Sequence, residues 1–155
     1  MLNSVFPQSE TVASIPPRRK VARVLLADSD LASRLAIKSL LATAGYAVDC
    51  AATSGEAVGR LDSAEYQLVL ADLRTESEGS GARLLAYARQ KDFRPATALL
   101  SSNLSELETT WAERNADDSV VRMSDENVSF LLARVAELIS ERADRRMRRA
   151  LFQAS

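Results

Sequence analysis

The sequence predicts an α/β fold, a doubly wound five-stranded parallel sheet with helices on both faces, and three observations predict it. Short apolar runs recur five times, as VARVLLA, AVDCAA, QLVLAD, ATALLS and SVVRM. Amphipathic stretches with a helical period separate them. The runs are too continuously apolar for strands with one wet side, and suit strands covered on both faces by crossover helices.

Each element follows from local chemistry. Residues 1–20 are polar, carry Pro7, Pro16 and Pro17, and end in Arg18, Arg19 and Lys20, which reads as an arm preceding the domain. The first strand starts near Val21. Ile37, Leu40, Leu41 and Ala44 then fall at i, i+3, i+4 and i+7, and Gly45 stands where a helix end calls for a left-handed residue. After the second run, Thr53 and Glu56 form a capping-box signature ahead of Ala57, Val58 and Leu61. Leu84, Leu85 and Ala88 supply the face of a third helix, and Asn103 with Glu106 opens a fourth that carries Leu107 and Trp111. Val128, Leu131, Leu132, Val135, Leu138 and Ile139 hold the stripe of the last. The expected organisation is an arm over 1–20, a domain over 21–140 and a basic continuation of the last helix over 141–155.

Composition narrows the function. With 155 residues, 46% of them hydrophobic, the chain suits one domain with a single core. A formal net charge of −1 gives no global attraction to nucleic acid or to a membrane surface. There is no histidine and Cys50 is the only cysteine, which excludes an intramolecular disulfide, zinc sites of the usual kind and histidine-based catalytic triads. No apolar stretch approaches the roughly 18 residues of a membrane span, and the opening segment has no h-region of a secretory signal. A cytoplasmic setting is the expectation.

In a parallel sheet of this type the site lies beyond the carboxyl ends of the strands. Reading the end of each run gives Asp28, Asp72, Ser101 and Arg122, two carboxylates, a hydroxyl and a cation that one sheet edge would gather. An acid after a strand is often only a helix cap; a convergent set of four is a more specific signal.

These blocks, LLADSD with a helix ending in AGY, TSGEAV, YQLVLADLR, EGSGARLL, RPATALLSS and NADDSVVRM, resemble the receiver domain of bacterial two-component response regulators over roughly residues 21–140. The resemblance implies a flavodoxin-like (βα)5 sandwich. It implies that Asp72 accepts a phosphoryl group, that Asp28, Asp72 and the backbone carbonyl of Arg74 hold Mg2+, and that Ser101 and Arg122 steady the phosphoryl group. The partners it implies are a histidine kinase or phosphotransfer protein and an output protein. Such a protein is not an enzyme beyond its own phosphorylation and dephosphorylation.

The chain departs from the family at the same site. Ser29 replaces the second acid, with Asp30 as the candidate to compensate; Arg122 replaces the usual lysine, Met123 the proline, Ser119 the switch aromatic, and RTESEG the proline-containing turn beyond the acceptor. Loss of one negative charge weakens the expected magnesium affinity, and an Asp72 to Arg122 ion pair would hold one conformation. Two readings follow, a phosphorylated receiver acting through protein contacts and a pseudo-receiver that docks partners without phosphate. A flavin-type carrier on the same fold is the remote third, because ADSDLAS offers no glycine-rich phosphate cradle.

The end of the chain, ERADRRMRRALFQAS, adds one more signal. If the last helix continues, Arg142, Arg145, Arg146 and Arg149 take over its core-facing stripe, while Ala143, Met147, Ala150, Leu151 and Ala154 form a second apolar seam about a quarter turn away. The expectations are a solvated helix end, or self-association or a helical partner along the seam, with nucleic-acid binding the weaker alternative. No DNA-binding or catalytic output domain is expected within these residues.

Overall fold

The structure, a computed structural model, describes residues 21–72, 77, 79–101, 119–122 and 128–154. Its elements in chain order are β1 (Arg23–Ala27), α1 (Leu31–Thr43), β2 (Ala47–Ala51), α2 (Ser54–Ser63), β3 (Leu68–Asp72), α3 (Ser80–Arg89), β4 (Ala96–Ser101), β5 (Ser119–Arg122) and α4 (Val128–Ala154). The helix expected around Trp111 falls outside the described residues, as do the arm, Arg74 and Met123. Every strand pairing is parallel, in the order β2-β1-β3-β4-β5. That order reverses direction between β1 and β3, where a doubly wound sheet places its crevice.

The two-residue period of the strands divides the core into two layers. Leu25, Ala27, Val69, Ala71 and Leu99 face Ala57 and Leu61 of α2 and Leu84, Leu85 and Ala88 of α3. Val24, Leu26, Leu68, Leu70, Ala98 and Leu100 face Ile37 and Leu41 of α1 and Leu131, Val135 and Leu138 of α4. β1 and β3 are buried on both sides, so their sequences cannot alternate. β2 lies at the edge and alternates weakly, with Val48, Asp49 and Cys50 half-buried.

The helix ends obey short-range rules. Gly45 sits at φ 102°, its N–H donates to the Ala42 carbonyl at 3.0 Å and the Tyr46 N–H donates to Leu41 at 3.1 Å, the paired bonds of a Schellman ending for α1. Thr53 caps α2 by accepting the Glu56 N–H at 3.1 Å, while the Glu56 carboxylate reaches back to the Ala52 N–H at 3.1 Å. At the base of β1, the Tyr66 hydroxyl donates to Asp49 at 2.6 Å and the Arg23 guanidinium pairs with the same carboxylate oxygen at 2.8 Å, lying 5.0 Å over the Tyr66 ring.

The last helix buries a cation beyond its apolar stripe. The sequence pattern has the body ending at residue 140, but Arg142 is only 7% exposed and docks on the loop between α3 and β4. Its Nη2 donates to the Phe93 carbonyl at 2.6 Å, its Nε to the Arg94 carbonyl at 3.0 Å, and Arg146 adds a bond to Phe93 at 3.2 Å. Arg94 is itself at φ 40°, unusual for a residue with a side chain. A guanidinium can follow apolar residues on a buried face because it satisfies two loop carbonyls beneath it. The helix leaves the body about a turn later than its change of composition implies.

Candidate functional site

The edge at the carboxyl ends of β1 and β3 is built from its backbone outward. Ala27 and Ala71 are partners in adjacent strands, and Asp28 and Asp72 each follow one residue later. The pair, 44 positions apart in sequence, therefore stands at one level on either side of the sheet's reversal point. Asp72 closes β3 opposite Leu100 of β4 and is half-buried. Ser101 and Arg122 are register partners at the ends of β4 and β5, one step further along the same edge. The register thus brings four of the expected site positions to one rim. The side chains of Ser101 and Arg122, and all of Arg74, lie outside the described residues.

Asp28 is fixed on three sides. Its N–H donates to the Ala51 carbonyl of β2 at 3.0 Å, its carbonyl accepts from the Arg34 guanidinium at 2.8 Å, and its carboxylate accepts the Asp30 N–H at 3.0 Å. The side chain is 4% exposed. Accepting the N–H two residues ahead is the turn that aspartate favours where a strand gives way to a helix. It occupies Oδ1 of the carboxylate.

Asp30 has a different task. With φ −80° and ψ 117° it is the N-cap of α1, and its Oδ2 accepts the Ser33 N–H at 2.9 Å. That oxygen satisfies a donor that the first turn of its own helix leaves open. Ser29 between the two acids is exposed. Arg34, which sequence reasoning passed over, holds the loop by its carbonyl; a cation one turn into the first helix after a strand-end acid was the available signal.

A divalent cation can be tested against these donors. Magnesium takes oxygen ligands and is often held by one or two carboxylates with phosphate and water completing the shell. Among the described residues no group of three acidic or other metal-binding side chains comes together. Among the described residues Asp28 and Asp72 are the carboxylates that end β1 and β3 at the rim, and this donor set fits a cation that shares its ligands with a bound phosphoryl group. Cys50, half-buried on β2, has its thiol pKa raised by burial, which makes it a packing residue and a poor nucleophile. No helix among the described residues is long and apolar enough to cross a membrane.

No family model matches the sequence, and no curated protein matches it. Solved structures do match in fold. A response regulator receiver domain protein from Methanospirillum hungatei aligns with a TM-score of 0.70 and 23% identity, covering 81% of this chain and 99% of that one. The signal receiver domain of an HD domain-containing protein from Pseudomonas fluorescens aligns with a TM-score of 0.74 and 20% identity, over 87% of this chain and 98% of that one. A response regulator from Thermotoga maritima gives 0.66 and 21%, over 78% and 99%.

Proposed function

We propose that this chain, which has the fold of response-regulator receiver domains, works as a receiver in phosphorelay signalling, with Asp72 as the phosphoryl acceptor. The observation that supports this most is the sheet register, which sets Asp28 beside Asp72 at the reversal point and ends β4 and β5 in Ser101 and Arg122. A carboxylate attacking a phosphoryl group brings two anions together, so the site must supply positive charge and hydrogen-bond donors. An Asp72 carboxylate oxygen forms the new bond to phosphorus as the bond to the donor breaks, and the leaving group departs with its electron pair. Ser101 donates its hydroxyl to a phosphoryl oxygen, and Arg122 offsets the charge with a guanidinium suited to two-pronged contact. Bound at Asp28, Asp72 and the Arg74 carbonyl, magnesium supplies the remaining positive charge; with Ser29 neutral and Asp30 capping α1, its affinity is low. The donor is a histidine kinase or phosphotransfer protein, and the output passes through protein contacts.

A second reading rests on that same cap. With Asp30 turned into its helix, the rim keeps two acids, and an Asp72 to Arg122 ion pair would then hold a pseudo-receiver that engages partners without phosphate. One experiment separates the two. Incubation with acetyl phosphate and magnesium followed by intact mass measurement gives a single phosphoryl adduct in the receiver, absent in Asp72→Asn. The absence of any adduct at high donor and magnesium concentration refutes phosphorylation and leaves the pseudo-receiver.

A further inference from the structure

The helix α4 runs antiparallel to the strands it covers and is longer than they are. At about 1.5 Å per residue its 27 residues span about 40 Å, whereas a five-residue strand spans about 17 Å. It therefore passes the amino-terminal edge of the sheet, where Arg142 and Arg146 clamp the α3–β4 loop, and projects beyond it on the side away from Asp28 and Asp72. From Ala143 to Gln153 every side chain is exposed. Three are large and apolar, Met147 at 65%, Leu151 at 66% and Phe152 at 85%. Beside them stand Arg145, Arg148 and Arg149, none of which makes an ion pair among the described residues. Arg148, Arg149, Phe152 and Gln153 line an open pocket of about 310 Å³.

We propose that this projecting end of α4 docks an acidic amphipathic segment of a partner protein. Met147 and Leu151, at i and i+4, share one side of the helix and give two apolar side chains of a partner a place to sit. The pocket beside Phe152, lined also by Arg148 and Arg149, offers apolar surface that covers the methylene stem of an acidic side chain, and the two arginines supply cations to pair with its carboxylate. Charge decides against a second copy of the chain, because residues 143–154 carry four arginines and one aspartate, and pairing two such ends opposes like charges. Shape decides against a lipid surface. Phe152 stands about 100° around the helix from Leu151, among arginines, so the apolar side chains do not form the single face that an interfacial helix buries.

The test uses the full chain and a synthetic helical peptide of glutamate and leucine, with leucines at i, i+3, i+4 and i+7. Calorimetry is expected to show saturable one-to-one binding. Reversing two charges in the Arg148→Glu/Arg149→Glu variant is expected to weaken it by about tenfold or more, with helicity by circular dichroism unchanged. Phe152→Ala is expected to weaken it as well, and so is scrambling the peptide at fixed composition. A neutral Arg148→Gln/Arg149→Gln variant repeats the measurement should charge reversal disturb the fold. Absent binding, equal binding of the scrambled peptide, or indifference to both arginine variants overturns the proposal. So does binding of phosphatidylserine vesicles or duplex DNA in place of the peptide, or concentration-dependent dimerisation in sedimentation that the peptide does not reverse. None of these readouts depends on Asp72, so failure here and failure of the phosphorelay reading are distinguishable.

Discussion

Replacing Asp30 by alanine removes the acceptor of the Ser33 N–H and a negative charge at the positive end of the α1 dipole, where the first turn has no other acid. Loss of such a cap costs about 1 kcal/mol, and loss of the charge a further 0.3–1 kcal/mol or so. The sum, about 1.5 kcal/mol, corresponds to a fall in Tm of about 3–6 °C for a chain of this size. Asp30→Ser keeps an oxygen acceptor in the same place and loses only the charge, so it is expected to cost about 0.3–1 kcal/mol, less than the alanine variant. Urea denaturation of the three proteins measures both values. The same variants, phosphorylated with acetyl phosphate across a magnesium series, test the other role a carboxylate here could have. If Asp30 is a cap, the serine variant reaches the parent's adduct level at the parent's magnesium concentration. A serine variant as unstable as alanine would refute the capping argument, and a serine variant of normal stability that needs much more magnesium would show Asp30 to be a metal ligand.

Arg142→Ala leaves the Arg94 carbonyl without its charged donor and the Phe93 carbonyl with Arg146 alone, and is expected to cost about 1–3 kcal/mol in denaturation experiments; a loss under 0.5 kcal/mol or so would mean that water replaces it. Gly45→Ala meets no atom within 4 Å, so its cost, about 1 kcal/mol, comes from the backbone at φ 102° alone. Burial, and then the hydrogen bond to Asp49, push the Tyr66 hydroxyl pKa up from 10.0 to about 12. The protonated form is the one that folding favours, so this stability is complete below pH 10.0 and is lost as the pH rises toward about 12. Tyr66→Phe is expected to flatten that alkaline loss, read as Tm against pH; an unchanged slope would rule out Tyr66 as its source. Asp49 is the acid-side counterpart: the Tyr66 hydrogen bond holds its pKa below 3.8, so its contribution is present above pH 3.8 and fades as the pH falls through the lowered value.

The parts legible in the sequence are those that short-range physics decides. Gly45 announced the end of α1 because few residues other than glycine take a positive φ without strain. Thr53 and Glu56 marked the start of α2 because an exposed N–H at a helix end needs an oxygen within three residues. The five apolar runs located the strands to within about two residues. Asp30 was legible only as one of two alternatives. An acid three residues past a strand can turn toward the site or into the helix that follows, and the choice depends on the dihedral angles at Ser29 and Asp30.

What the chain determined by itself is the list of elements and the chemistry at their ends: a carboxylate after β1, another closing β3, a serine closing β4 and an arginine closing β5. Tertiary structure decided which of these meet. Asp28 and Asp72 become neighbours because β1 and β3 pair in a register that buries both apolar faces, and a slip of one residue would turn Leu26 and Leu70 out of their layer. Tertiary structure also decided that Arg142 belongs to the body. A guanidinium after a buried stripe looks like the start of solvent until two carbonyls, nearly fifty positions away in sequence, are brought beneath it.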